Sequence, residues 1–154
     1  MKVFFNYKFE KDWALNRLGA DITGDIRDMM LASYLENEVK GTHNLDFQSL
    51  VNFGAGKIKE AEKYKRDMRK CPKPLLHDYN GRDSRLTYAI EDYKWDDLDR
   101  RQRRLYNDLL LEGTDALLEA EKEGVLIDLE VMKKVRKKLI KKQDKAIDKL
   151  SMIL

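Results

Sequence analysis

The stretch His77-Asp78-Tyr79-Asn80-Gly81-Arg82-Asp83-Ser84-Arg85-Leu86-Thr87-Tyr88 decides how the middle of this chain is read. Pro72 and Pro74 stand just before it. Proline suits the first turn of a helix and bars one from running through. From Leu75 onward, Leu76, Leu86, Ile90 and Tyr93 can share one side of a helix. Tyr79 and Asp83 are four apart, so that helix sets them as neighbours on one face. A phenol hydroxyl beside a carboxylate can position a water while the carboxylate holds a metal ion. A surface tyrosine hydrogen-bonded to a solvated aspartate is the plainer reading of the same pair.

Toward the N-terminus, Lys2-Val3-Phe4-Phe5 is the only convincing strand, rich in β-favouring residues. Beyond it a short helix is expected, with Trp13, Ala14 and Leu18 on one face and Gly19 as its stop. Asp25 to Glu38 reads as the next helix, carrying Ile26, Met29, Met30 and Leu35. Asp46 is placed to cap a helix with Leu50, Val51 and Phe53, closed by Gly54. Lys57 to Lys70 reads as a largely solvated helix. Toward the C-terminus, Leu98 to Glu123 is expected as one long helix burying Leu105, Leu109, Leu117 and Ala120. Gly124 then suits the C′ position, and Asp128 caps a last helix from Leu129 to about Leu150. The predicted class is mainly α. A lone strand cannot satisfy its own backbone, so Val3 to Phe5 must pair with another chain or be absorbed into helical packing. The front of the chain is expected to lack a preceding segment.

The 154 residues suffice for one ordinary domain or pieces of two. Hydrophobic residues make up 42% and charged ones 38%, so a core is possible under an unusually ionic surface. The net charge of +3 permits a nucleic-acid partner without demanding one, because the charges are mixed. One cysteine, Cys71, excludes an internal disulfide and suits a reducing cytoplasm. With only His43 and His77 besides, a zinc site has too few ligands. No apolar run approaches a membrane span, so a cytoplasmic protein with no membrane partner is expected.

The order of these features resembles a stretch of the family A DNA polymerases, the bacterial DNA polymerase I type. Asn6-Tyr7-Lys8-Phe9-Glu10 looks like the family's second 3′–5′ exonuclease motif, Asn-x-Lys-Phe/Tyr-Asp after a strand. Asp28-Met29-Met30-Leu31-Ala32-Ser33-Tyr34-Leu35 is similar to its Asp-Thr-Met-Leu-x-x-Tyr-Leu segment, and His43 to Leu50 to the His-x-Leu-x-x-Leu helix that follows. Tyr79, Asp83 and Thr87 resemble the third exonuclease motif. Glu121-Lys122-Glu123-Gly124-Val125-Leu126-Ile127-Asp128 is close to Glu-x-x-Gly-Val-x-Ile-Asp, where the polymerase portion begins. The resemblance implies a partial ribonuclease H-like exonuclease fold over 1–95 with one remaining short strand. A long helical pair over 96–154 would then lead to the polymerase thumb. It also implies catalytic roles for Tyr79, Asp83, Glu10 and Asn6, with Asp83 and Glu10 holding magnesium or manganese.

Two departures limit what the resemblance carries. Glu10 stands where the family has Asp, one methylene longer, around an ion that demands near-ideal octahedral geometry. The first exonuclease motif, Asp-x-Glu on an early strand, is absent, as are the palm and fingers. Two-metal phosphodiester hydrolysis needs carboxylates that hold both ions a few ångströms apart. A fragment or split subunit acting in DNA replication is therefore expected, inactive alone and weakly metal-binding. Its partners would be DNA and a polypeptide supplying the missing exonuclease strands and the polymerase domain. A non-catalytic helical remnant binding DNA or a replication protein is the alternative. A phage source is compatible with either, and the cytoplasm would then be the host's.

Basic residues gather in two places. Nine lie between Lys133 and Lys149, among them Lys134, Lys138, Lys141 and Lys145 as the expected DNA contacts. Their spread over several faces suits salt-sensitive, non-specific phosphate binding, and a solvated amphipathic helix fits them equally. Arg100, Arg101, Arg103 and Arg104 crowd a helix start, where pairing with Asp96, Asp97 and Asp99 offsets an unfavourable dipole. Tyr7, Phe9 and Trp13 have the chemistry to stack on bases, yet Phe9 and Trp13 are expected in the core.

Overall fold

The computed structural model describes residues 1–56 and 58–152. It is mainly helical, as expected, and divides into two compact units, Met1–Glu119 and Ala120–Leu154. In the first unit, β1 (Lys2–Phe4) leads into α1 (Tyr7–Trp13), which continues as a wider π-type turn over Ala14–Leu18 and stops at Gly19 in the left-handed conformation (φ 62°). Next come β2 (Ile26–Asp28), α2 (Met29–Glu36), α3 (Leu45–Phe53) and the single turn α4 (Lys59–Glu62). The long α5 (Lys73–Lys94) follows, entered through Pro72 and Pro74. A 3₁₀ turn at Trp95–Asp97 then precedes α6 (Arg100–Leu105), a π-type segment (Tyr106–Leu111) and α7 (Glu112–Glu123). In the second unit Gly124 takes a left-handed conformation (φ 71°) and Asp128 caps α8 (Leu129–Ser151), accepting from the N–H groups of Glu130 (2.9 Å) and Val131 (3.0 Å). Both roles match the sequence reading.

The strand β1 does have a partner within the chain, which corrects the expectation of an unpaired strand. It pairs in parallel with β2, Lys2 opposite Ile26, Val3 opposite Arg27 and Phe4 opposite Asp28, and α1 supplies the crossover that a parallel pair requires. The expected helix from Asp25 accordingly starts later, at Met29. Three-residue β2 is too short to show a period of two, and its Ile26 fits a helical pattern with Met29 and Met30 equally well. Asp28 ends the strand and caps α2, its Oδ1 accepting from the Met30 N–H at 2.9 Å.

That carboxylate also accepts from the backbone N–H groups of Asn6 (3.0 Å) and Tyr7 (2.8 Å), so one buried side chain holds the β1–α1 junction to the β2–α2 junction. The Asp28 N–H in turn donates to the Tyr106 hydroxyl at 2.6 Å. Tyr106 is fully buried and meets Trp95 edge-on, with ring centroids 5.0 Å apart. Around them Met29, Ala32, Ile90 and Leu98 complete the core. Arg27 spreads its guanidinium 4.4 Å from the Trp95 ring and pairs with buried Glu91. An ion pair so placed leaves neither charge uncompensated.

Several boundaries differ from expectation. Asn44, not Asp46, caps α3, its side chain accepting from the Phe47 N–H at 2.9 Å. The expected helix over Lys57 to Lys70 is confined to the one turn of α4, a run of turns and a 3₁₀ turn at Met68–Lys70; Lys57 lies outside the described residues. Repeated Lys and Glu favour a helix, but a sparse apolar face gives it little packing to hold it. The segment Arg100–Glu123 buries Tyr106, Thr114 and Leu118, whereas Leu105, Leu109, Leu117 and Ala120 are exposed. Phe9 and Trp13, expected in the core, are 60% and 48% exposed, and Tyr7 takes the buried position on α1.

Replacing Tyr106 with Phe strands the buried Asp28 N–H, and urea unfolding is expected to show a loss of about 1–3 kcal/mol. Asp28→Ala removes a cap and two further acceptors together, for a loss of roughly 3–5 kcal/mol. Asp28→Asn, which keeps one acceptor oxygen, falls between the parent and Asp28→Ala.

Candidate functional site

The strand β1 and the helix α5 form the two walls of a cleft. Alternate backbone groups point to opposite edges of a strand. The Lys2 N–H donates to the Asp25 carbonyl (2.8 Å), so the N–H and C=O of Val3 and Phe5 point to the edge away from β2. The sheet among the described residues has only the order β1–β2. Beside β1, a cavity of about 540 Å³ is lined by Met1, Val3, Phe4 and Phe5, by Leu45 at the start of α3, by Glu10 of α1, and by Asp83, Ser84, Thr87 and Tyr88 of α5. Two of the candidate carboxylates, Glu10 and Asp83, therefore line one space although they lie far apart in sequence.

The local folding explains their placement. Asn6 adopts a left-handed conformation (φ 82°, ψ 61°), which asparagine tolerates better than most residues. It turns the chain from β1 into α1 one turn before Glu10. Its N–H is held by Asp28, and its side chain makes no cap hydrogen bond. Asn6 is thus placed as a backbone hinge and does not line the cavity.

On α5, Tyr79 lies one turn before Asp83, as the spacing predicts, and its hydroxyl is hydrogen-bonded to the Asp83 carboxylate. Burial, and then the Asp83 charge, push the Tyr79 phenol up to about 12. Tyr79 is not among the residues lining the cavity. Asp83 also receives Thr87 on its turn of helix, the Thr87 hydroxyl donating to the Asp83 carbonyl at 2.9 Å.

The donor set is small. Among the described residues no group of three or more His, Cys, Asp or Glu side chains comes together to hold a metal. Glu10 and Asp83 suit at most one hard cation, with waters filling most of its positions. They do not make the two-ion clamp of phosphodiester hydrolysis.

A second cavity, of about 420 Å³, lies near Tyr7, Lys11, Asp21, Glu112 and Asp115. There Lys11 Nζ bridges Asp115 (3.0 Å) and Asp21 (3.7 Å), tying α1 to α7. Desolvation works against the Lys11 charge, but Asp115 and Tyr7 outweigh it and hold the ammonium above its ordinary range. His43 is buried against Ser33 (Nδ1 to Oγ 2.9 Å) and stacked on Tyr34, a structural role just before α3.

The basic residues separate into two kinds. Arg103 is structural: its guanidinium donates to the carbonyls of Leu98, Trp95 and Asp96 and pairs with Asp96 at 3.2 Å. Arg104 pairs with Asp108 at 3.1 Å. Lys134, Lys138, Lys141 and Lys145 stand exposed on α8, where every described residue is exposed. Ser84, Tyr88 and the β1 phenylalanines were not singled out as site residues by sequence. The α5 positions were recoverable, since Asp83, Ser84, Thr87 and Tyr88 fall within one arc of a helix.

Because the Tyr79 pKa is raised on folding, its contribution to stability is whole below the ordinary tyrosine value of 10.0 and is lost as pH rises through about 12. A difference titration at 295 nm between the parent and Tyr79→Phe is expected to isolate one phenol ionising near the upper value. Asp83→Asn should move that step only part of the way back, because burial is the larger cause.

No protein-family model, curated protein or solved structure matches this chain.

Proposed function

We propose that this chain is part of a family A-type DNA polymerase, an incomplete 3′–5′ proofreading exonuclease of ribonuclease H-like fold that leads to the root of the thumb. The observation that carries the reading is the convergence of Glu10 and Asp83 on one cleft beside a parallel strand. The Tyr79–Asp83 pair on one face of α5 adds to it. The reaction class is hydrolysis of a DNA phosphodiester at a 3′ end in DNA replication. Magnesium or manganese would supply Lewis-acid activation of water there, and Glu10 and Asp83 are the groups of this chain that would hold it. Two carboxylates fall short of that task. A separate polypeptide completes the site, adding a strand along the open edge of β1 and bringing further acidic side chains to the cleft. Parallel sheets depend on neighbours and on cover over both faces, which supports completion at this edge.

A second reading, a non-catalytic helical remnant that binds DNA or a replication protein, is favoured by the sparse donor set and by the exposed lysines of α8. Where DNA is the partner, it is held through phosphates and not by sequence.

Purified alone, the chain is expected to degrade single-stranded DNA negligibly with magnesium or manganese. Robust 3′-end trimming that Asp83→Ala abolishes would overturn that expectation. DNA affinity should fall linearly in log salt, with a slope of roughly −3 to −5 if about three to five lysines reach phosphates. Changing Lys134, Lys138, Lys141 and Lys145 to Gln should flatten the slope while helicity persists, since Gln is nearly as good a helix former. Unchanged binding by that variant at every salt concentration would exclude α8 as the DNA contact.

A further inference from the structure

One face of α8 has the same spacing when read in either direction. Leu129, Met132, Arg136 and Leu139 follow one another at intervals of three, four and three residues. Ile140, Gln143, Ile147 and Leu150 then follow at three, four and three again. On a regular helix such as α8 these residues fall within an arc of ~100°. The apolar members of the stripe are 45% to 60% exposed. A contiguous exposed apolar stripe marks an interaction surface, and a helix draws most of its stability from packing such a stripe.

The chemistry of the stripe follows the same symmetry. Its centre lies between Leu139 and Ile140, so a second copy laid antiparallel about a two-fold axis there presents a self-complementary face. Leu129 then shares a layer with Leu150, Met132 with Ile147 and Leu139 with Ile140. The polar members, Arg136 and Gln143, share a layer with each other, guanidinium donor to amide oxygen. Polar residues within such a seam fix register and orientation. Along one border of the stripe lie Lys133, Lys137 and Asp144. In the antiparallel pair, Asp144 of one copy stands between Lys133 and Lys137 of the other, about 3 Å along the axis from each. We propose that the stripe on α8 is a self-association surface, covered by α8 of a second copy in this antiparallel register.

Other occupants meet specific penalties. A parallel pair sets the Arg136 charge against that of its own copy. A lipid surface would take Arg136 and Gln143 into its apolar layer, where a charge is costly. Lys134, Lys138, Lys141 and Lys145 lie on the opposite side of α8, ~180° from the middle of the stripe, so pairing leaves them open to phosphates. The inference is independent of how the cleft beside β1 is read.

Sedimentation equilibrium of the full chain, free of nucleic acid, tests the pairing. A reversible monomer–dimer equilibrium is expected. Leu139→Gln combined with Ile140→Gln should abolish it, with the near-ultraviolet circular dichroism unchanged, because Trp13 and Trp95 both lie in the first unit. Gln143→Glu gives each Arg136 an opposite charge, and the two pairs should tighten the dimer about 2- to 30-fold. Gln143→Arg should weaken it. In a Cys71→Ser background, Ile140→Cys should oxidise to a linked dimer. Leu129→Cys should not, since antiparallel copies hold that residue about 31 Å apart along the axis. A parent that stays monomeric overturns the proposal, and capture of that monomer by phosphatidylserine vesicles would assign the stripe to lipid instead. A dimer that survives the double Gln substitution also overturns it. Weaker pairing in Gln143→Glu, or cross-linking through Leu129→Cys in preference to Ile140→Cys, excludes the antiparallel register.

Discussion

The carboxylate of Asp28 gathers the N–H groups of Asn6, Tyr7 and Met30, while its own N–H is held by the hydroxyl of Tyr106. Three separate stretches of chain, around Asn6–Tyr7, Asp28–Met30 and Tyr106, are thereby joined at one buried residue. Burial raises the Asp28 pKa against the pull of those donors. The backbone N–H groups thus replace part of the water the carboxylate has lost. Three residues of strand pairing on each side could not alone fix the ends of β1 and β2. The side chain does so by occupying the place where backbone pairing ends and helical bonding has not begun.

The placement of Glu10 follows from that clamp. Held at Asn6 and Tyr7, α1 leaves the strand in a set direction, and Glu10 is its first residue to reach the cleft. Lys11, the next residue, is bound on the opposite side by Asp115 and Asp21. Consecutive helix residues diverge by about 100°, so one helix can be anchored on α7 while presenting a carboxylate to the cleft. The second carboxylate comes from α5, which is held through Leu86, Ile90 and the Arg27–Glu91 pair. Both acidic groups therefore stand on elements fixed by the same core.

Much of this was legible from residue order. Pro72 and Pro74 set the start of α5, Gly54 and Gly124 end their helices, and Asp128 caps α8, because each acts through local chemistry. The mainly helical class followed from periodicity. Hidden features were those decided by distant partners. Nothing local marks Ile26–Asp28 as a strand until β1 is beside it. Phe9 and Trp13 are large and apolar, but a helix seven residues long cannot turn Tyr7, Phe9 and Trp13 all toward one core. Tyr79 and Asp83 were recoverable as a pair, whereas the convergence of Asp83 with Glu10 required the tertiary fold. The aromatic lining of the cleft left no signature, since an exposed tyrosine on a helix looks like any other.

The π-type segment at Tyr106–Leu111 changes the phase of everything after it. Bonds from i to i+5 turn the chain less per residue than α-helical ones. Tyr106, Thr114 and Leu118 can consequently stay on the buried side, although multiples of four drift around a regular α-helix by about 40° each. The stretch behaves as a helix that has absorbed an additional residue without a loop. Re-forming this stretch as a regular α-helix of unchanged length would rotate Thr114 by roughly 80° relative to Tyr106, whereas removing one residue as well would bring it back to within about 20°. The wider turn, as much as the side chains, thus specifies which face of α7 meets the core.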